Sequence, residues 1–293
     1  MTLRAVRARS VRDQLGTTLG QLTVAGDVVD LSDSRFGPES GELGLWRPVD
    51  FLFDVGAGIY FLEEYDPERI PVLFVHGVSG YPQAFGELID HLDPERFQAW
   101  FYFYPSGAVL PKVAVHLSQV VARLHAQHDF ERLFVVAHSM GGLVSRGFLL
   151  HHSEVTGEAY LPLFVSISTP WGGHAAAQTG IDHAPEVVYS WIDVAPGSEY
   201  LRHIFFWDPE TLERRRRLPD HVSHHLIFGF KRNALLPGDC DDQVVTVASQ
   251  LRLEAQDEAA TVFGLDADHT EILRRPEIFE LLNTILENAA DQP

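Results

Sequence analysis

Between Arg132 and Leu150 the sequence RLFVVAHSMGGLVSRGFLL changes its hydrophobic period at Ser139. Leu133, Phe134, Val135 and Val136 form a short apolar run of strand-forming residues, as suits a parallel strand covered on both faces. After Ser139, the apolar or small residues Met140, Leu143, Val144, Gly147 and Phe148 recur at helical spacing. Ser139 therefore sits at a strand-to-helix corner. A corner that tight leaves little room for side chains two residues either side of the serine, and those positions hold Ala137 and Gly141.

The text around this corner alternates in the same way. Pro71 to Val75 reads as a strand, followed by a helix carrying Phe85, Leu88, Ile89 and Leu92. Phe97 to Tyr104 is strand-like, and Val113, Leu117, Val120, Val121 and Leu124 mark a helix. Further strands are expected at Leu161 to Ser168, His225 to Phe230 and Ala260 to Leu265. Pro276 opens a terminal helix with Ile278, Leu281, Leu282, Ile285 and Leu286 on one face, since proline is tolerated in a first turn. Strands alternating with helices predict a mostly parallel, doubly wound α/β sheet with helices on both faces, joined by right-handed crossovers. Its ligand site is then expected at the strand C-termini. Ahead of this, Gln21 to Leu62 reads as short strands and turns, with antiparallel strands in front of the parallel core. Residues 1–20 read as a basic arm or a short surface helix.

The chain has 293 residues, a length at which α/β architectures remain single domains. Its 22 basic and 41 acidic residues leave a net charge of −19, which argues against nucleic acid as a partner. One cysteine, Cys240, excludes an intrachain disulfide framework and a cysteine-rich metal site. The pairs His151-His152 and His224-His225 lack metal-ligand spacing, so no metal is expected. Neither a signal peptide nor a transmembrane helix is read from the sequence, which fits a cytoplasmic protein or the mature part of an exported one.

Five motifs together carry a resemblance. VHG at 75–77, AHSMGG at 137–142, STPWGG at 168–173, DDQVV at 241–245 and DHTEIL at 268–273 resemble bacterial lipases and esterases of the α/β-hydrolase superfamily. AHSMGG is similar to the nucleophile elbow of that superfamily, with alanine in place of its first glycine. The resemblance spans residues 70–290 and implies a serine nucleophile, an acid and a histidine in that chain order. Carried onto this sequence, it implies Ser139 as nucleophile, His269 as base, and an acid in the turn after the strand ending at Phe230. Asp242 is favoured there, as its Asp-Gln-Val-Val resembles an acid followed by x-x-Val, while Asp239 and Asp241 are alternatives. It also implies an oxyanion hole from the N–H groups of Met140 and Val78, and needs no cofactor. His138 reads as a packing and hydrogen-bonding neighbour. His76, Trp171 and Trp191 are candidates for the substrate cleft.

About fifty residues between STPWGG and His225 hold many large apolar groups, among them Trp191, Tyr200, Phe205 and Trp207, and are expected to form a lid-like insertion over an apolar cleft. The expected layout of this one domain is an N-terminal arm with extra strands (1–69), a catalytic core (70–172 and 223–293) and a lid or cap (173–222). Arg214 to Arg217 read as a solvated surface turn rather than an anionic-lipid contact. The resemblance implies cleavage of carboxylic esters with an apolar or lipid acyl group, with transient lipid-surface contact as the only further partner considered. An acyltransferase with the same acyl-enzyme and, more distantly, a non-catalytic binding module are the other readings of the same residues.

Overall fold

The strand before Ser139 is apolar at every position because both of its faces are covered. In the computed structural model, which describes residues 23–183, 187–231 and 240–292, it is the fifth of eight strands in one sheet. These are β1 (Thr23–Val28), β2 (Ala57–Phe61), β3 (Ile70–Val75), β4 (Phe97–Phe103), β5 (Phe134–His138), β6 (Leu163–Ile167), β7 (Ser223–Phe230) and β8 (Ala259–Asp266). They lie side by side in the order β1-β2-β4-β3-β5-β6-β7-β8. Six strands from β4 to β8 are mutually parallel, β2 pairs antiparallel with β4, and β1 runs parallel to β2.

Alternation along the central strands feeds two cores. Val135 and Ala137 face the helices Leu110–His128 and Met140–Thr156, packing with Leu117, Val121, Leu143 and Phe148. Phe134 and Val136 face the other way, towards Phe85, Leu88 and, from the helix Pro276–Ala290, Ile278, Leu282 and Ile285. Period-two side-chain placement on a strand buried on both faces requires this division. The doubly wound α/β architecture read from the sequence is the one observed.

Ahead of β3 the stretch read as strands and turns contains two helices as well, Pro38–Trp46 and Pro48–Asp54. Each begins on a proline, whose missing N–H costs nothing in a first turn. The glycines that read as turn-formers are there for close packing. A Cβ on Gly41 would lie 2.4 Å from the backbone oxygen of Ser79. The expected N-terminal arm, residues 1–20, lies outside the described residues.

The arginine run is solvated only in part: Arg214 and Arg217 are exposed, while Arg215 and Arg216 turn inward. Arg216, 6% exposed, pairs with Glu154 (2.6 Å), Arg215 with Glu258 (3.0 Å) and Arg217 with Asp257 (2.6 Å). Fully buried Arg146, from the helix after Ser139, joins them: it bonds Glu258 (3.0 Å), Ile204 O (2.8 Å) and Arg216 O (2.9 Å). Phe205 is sandwiched between the guanidinium groups of Arg146 and Arg252, 4.2 and 4.4 Å from its ring centre. Sequence shows four adjacent cations but not the carboxylates, distant along the chain, that pair with Arg215, Arg216 and Arg217. Together these contacts fasten residues 204–218 to the core.

Two histidines are held neutral inside the cores. His152 lies between Ser118 Oγ (2.9 Å) and the Tyr160 hydroxyl (2.6 Å), and His224 bonds Ser166 Oγ (2.9 Å) while stacking on Phe164. Burial pushes His152 down to about 4 and His224 to about 3. Unfolded imidazoles take up protons near 6.5, the folded ones only near 3 to 4, so unfolding consumes protons throughout that window. Stability present above pH 6.5 is therefore lost as pH falls towards 4. Thermal midpoints measured from pH 7.5 down to 4 should decline steadily below 6.5, and a flat profile to pH 4.5 would contradict the buried neutral state.

Candidate active site

Ser139 occupies the corner with φ 56° and ψ −132°, a backbone region unfavourable for a residue with a side chain. The neighbours over-determine it. Its N–H donates to Ile167 O (2.8 Å), extending the β5–β6 ladder by one bond, and its carbonyl accepts from Gly142 N–H (2.9 Å). Directly below, the helix approaches the end of β3 so closely that a Cβ on Gly141 would lie 2.3 Å from Val75 O and 2.5 Å from His76 O. Ala137 differs, because its methyl group faces the helix-side core and is accommodated there. Gly141→Ala should accordingly destabilise the protein by about 1–3 kcal/mol through overpacking against backbone, read as a lowered thermal or denaturant midpoint. An unchanged midpoint would mean that the helix can retreat from β3.

His269 lies in the loop after β8, and its ring meets two partners. Ser139 Oγ–H donates to His269 Nε2 (2.8 Å), and His269 Nδ1–H donates to Asp242 Oδ2 (2.7 Å). A second bond, from His269 N–H to Asp242 O (2.8 Å), locks the backbones of the two loops together. Asp242 is fully buried, and its other carboxylate oxygen accepts the N–H groups of Val244 (3.1 Å) and Val245 (2.6 Å). Burial raises the pKa of this carboxyl, but the His269 hydrogen bond and charge, with the two amides, outweigh burial and hold it below the ordinary value. An ionised Asp242 fixes the proton of His269 on Nδ1 and leaves Nε2 free to accept from the serine. Asp241 instead turns to its own loop, accepting Gln243 N–H (3.0 Å). Asp239 lies outside the described residues.

His138 supports this loop from below. Its Nε2–H donates to His269 O (2.7 Å), and burial pushes its pKa down to about 3, so it stays a neutral donor. His76 is buried behind the loop that carries Val78: Nδ1–H donates to Gly77 O (2.9 Å) and Nε2 accepts Tyr104 N–H (3.3 Å), a neutral arrangement with a pKa lowered to about 4 by burial.

A cleft of about 330 Å³ opens over Ser139 and His269, with Val78, Met140, Trp191 and Val245 in its walls. Val78 and Met140, the two residues expected to present N–H groups, both border the serine there. A smaller pocket of about 160 Å³ lies against the same Ser139 and His269, lined by His76, Ser79, Tyr81, Thr270 and Arg274. Trp191 is thus at the cleft and His76 at the smaller pocket, but Trp171 is at neither. It is 1% exposed and packs edge-on against Phe205 and His224. His174, the residue that follows STPWGG, does reach the cleft, and only that place in the sequence could have flagged it. Among the described residues no cluster of three or more His, Cys, Asp or Glu side chains could hold a metal ion. Chemically, a serine bonded to an imidazole that a carboxylate orients can give up its proton as it attacks an electrophilic carbon.

Residues 111–181, which include Ser139, match the family model for lecithin:cholesterol acyltransferase. A phosphatidylcholine-sterol acyltransferase from Gallus gallus is 32% identical over 63 residues, which are 22% of this chain and 15% of that protein's length. Among solved structures, the mature form of a Bacillus licheniformis lipase aligns with a TM-score of 0.56 at 17% identity, covering 76% of this chain and 94% of that one. A gene product of Listeria innocua aligns at 0.55 and 16% identity, over 75% and 94% of the two chains. With its sheet order, its serine corner after β5 and these likenesses, the chain has the α/β-hydrolase fold found in lipases and esterases.

Proposed function

We propose that this protein is a serine hydrolase that cleaves carboxylic esters of an apolar or lipid acyl group through an acyl-enzyme. The observation that carries this reading is the continuous pair of bonds Ser139–His269 (2.8 Å) and His269–Asp242 (2.7 Å) at the floor of an apolar cleft. In it, His269 takes the proton of Ser139 as the hydroxyl attacks the ester carbonyl, and Asp242 stabilises the imidazolium. The N–H groups of Met140 and Val78 receive the oxyanion. Collapse of the tetrahedral intermediate breaks the ester bond, and the departing alcohol takes the proton from His269. Water, activated by His269, then releases the acid and restores Ser139.

Residues 173–222 act in this reading as a cap, since Ala177, Trp191 and Val194 wall the cleft. Val187, Tyr189 and Ile192 on the same stretch are exposed and supply the apolar surface for transient contact with lipid. A second reading is acyl transfer to an alcohol, favoured by the match of residues 111–181 to an acyltransferase family. That match includes Ser139 but neither Asp242 nor His269, so it bears on forming the acyl-enzyme and not on its fate.

Ser139→Ala should reduce p-nitrophenyl ester cleavage to background in a folded protein and abolish labelling by a fluorophosphonate probe. Unchanged turnover removes Ser139 from the mechanism, and failure of the wild type to label points to a non-catalytic binding module. Asp242→Asn should lower kcat by about ten-thousand-fold, because the neutral amide no longer dictates the required imidazole tautomer. Product analysis with added alcohols separates the two fates: free acid at all alcohol concentrations supports hydrolysis, and predominant new ester supports transfer.

A further inference from the structure

Apart from Ser139 and His269, the walls of the large cleft are nearly all hydrocarbon: Val78, Met140, Ala177, Val194 and Val245 are typical. His174 is the exception. It follows β6 and the STPWGG stretch, at the start of the helix Ala175–His183, and its backbone N–H is tied to Val194 O (2.9 Å). Half-buried, it lines this cleft and also borders a neighbouring cavity shared with Val244 and Ser249, and its side chain has no hydrogen-bond partner among the described residues. Trp191, the other N–H-bearing ring in the wall, meets Gly180 through its six-membered ring. Burial, with a further contribution from nearby His269, lowers the pKa of His174, so at neutral pH the ring is uncharged and carries one N–H and one lone pair.

A plain hydrocarbon chain filling this cleft would strip water from that ring and return nothing, whereas a hydroxyl would both accept from it and donate to it. We propose that His174 is a specificity residue that hydrogen-bonds a hydroxyl the substrate carries in addition to its scissile ester. The inference rests on the ester-hydrolase reading above. The hydroxyl has two sources, the acyl chain or the alcohol half of the ester, and each predicts a different preferred substrate.

The test compares kcat/KM for two matched pairs: p-nitrophenyl octanoate against its hydroxyoctanoate counterpart, and ethyl octanoate against monooctanoylglycerol. For one pair, the wild type should favour the hydroxylated member by about 5- to 10-fold, the size of one neutral hydrogen bond. His174→Leu should erase that ratio, mainly through KM, and His174→Asn should restore part of it. Fluorophosphonate labelling of each variant reports whether the serine site is intact, and the Asn variant serves if the Leu variant does not fold. Preference in the first pair assigns the hydroxyl to the acyl chain, in the second to the alcohol. Wild-type cleavage without preference in either pair overturns the proposal, as does a ratio that survives in His174→Leu. A wild type that neither cleaves nor labels overturns the hydrolase reading and this inference with it.

Discussion

The site depends on one forced backbone. Ser139 holds a conformation that an isolated residue would leave, and it stays there because the helix behind it touches the end of β3 at Gly141 while its own N–H is bonded into β6. Both restraints come from the buried centre of the sheet, where β3, β5 and β6 are covered on each face. The serine is thus presented by strands buried on both faces, and its partners are brought to it by loops. Those loops are fastened by a side-chain and a backbone bond between Asp242 and His269, so the carboxylate and the ring cannot shift independently.

Much of this could be read from sequence because the central sheet is governed by local pattern. Continuous apolar runs at 71–75 and 133–136 and helical spacing after Ser139 leave few alternatives, and strand C-termini gather whatever the following loops carry. What could not be read depends on partners distant along the chain. The glycines of ESGELG look like turn-formers until Ser79 is seen against Gly41, and Trp171 looks like a cleft residue until Phe205 and His224 close around it. Asp241 and Asp242 are adjacent and chemically alike. The x-x-Val resemblance favours Asp242, and the fold of the loop gives the physical difference, two amides and a ring for Asp242 against one local amide for Asp241.

The two cavities beside Ser139 differ in character as well as size. One is walled mostly by hydrocarbon; the other has Ser79, Tyr81, Thr270 and Arg274 beside Phe85 and Leu273 in its lining. An ester bound across the serine would therefore meet a nearly uniform hydrocarbon wall on one side of its carbonyl and a mixed one on the other. That asymmetry is set by residues outside the sheet, which is why a fold shared with a lipase at 17% identity leaves substrate choice open to each chain.

Arg146 and Glu258 have a consequence for how this sequence can change. Each is buried and each is the other's counter-charge, with Arg215 sharing the same carboxylate. Removing Glu258 strands Arg146 in the core at a cost of about 3–5 kcal/mol, a large part of the stability of an ordinary domain, whereas removing Arg146 leaves Glu258 paired with Arg215. An apolar replacement of the whole group could be harmless, but no single substitution leads to it. The arginine on the serine helix therefore holds the glutamate before β8 in place: two positions far apart in the chain, of which the second cannot be lost while the first remains.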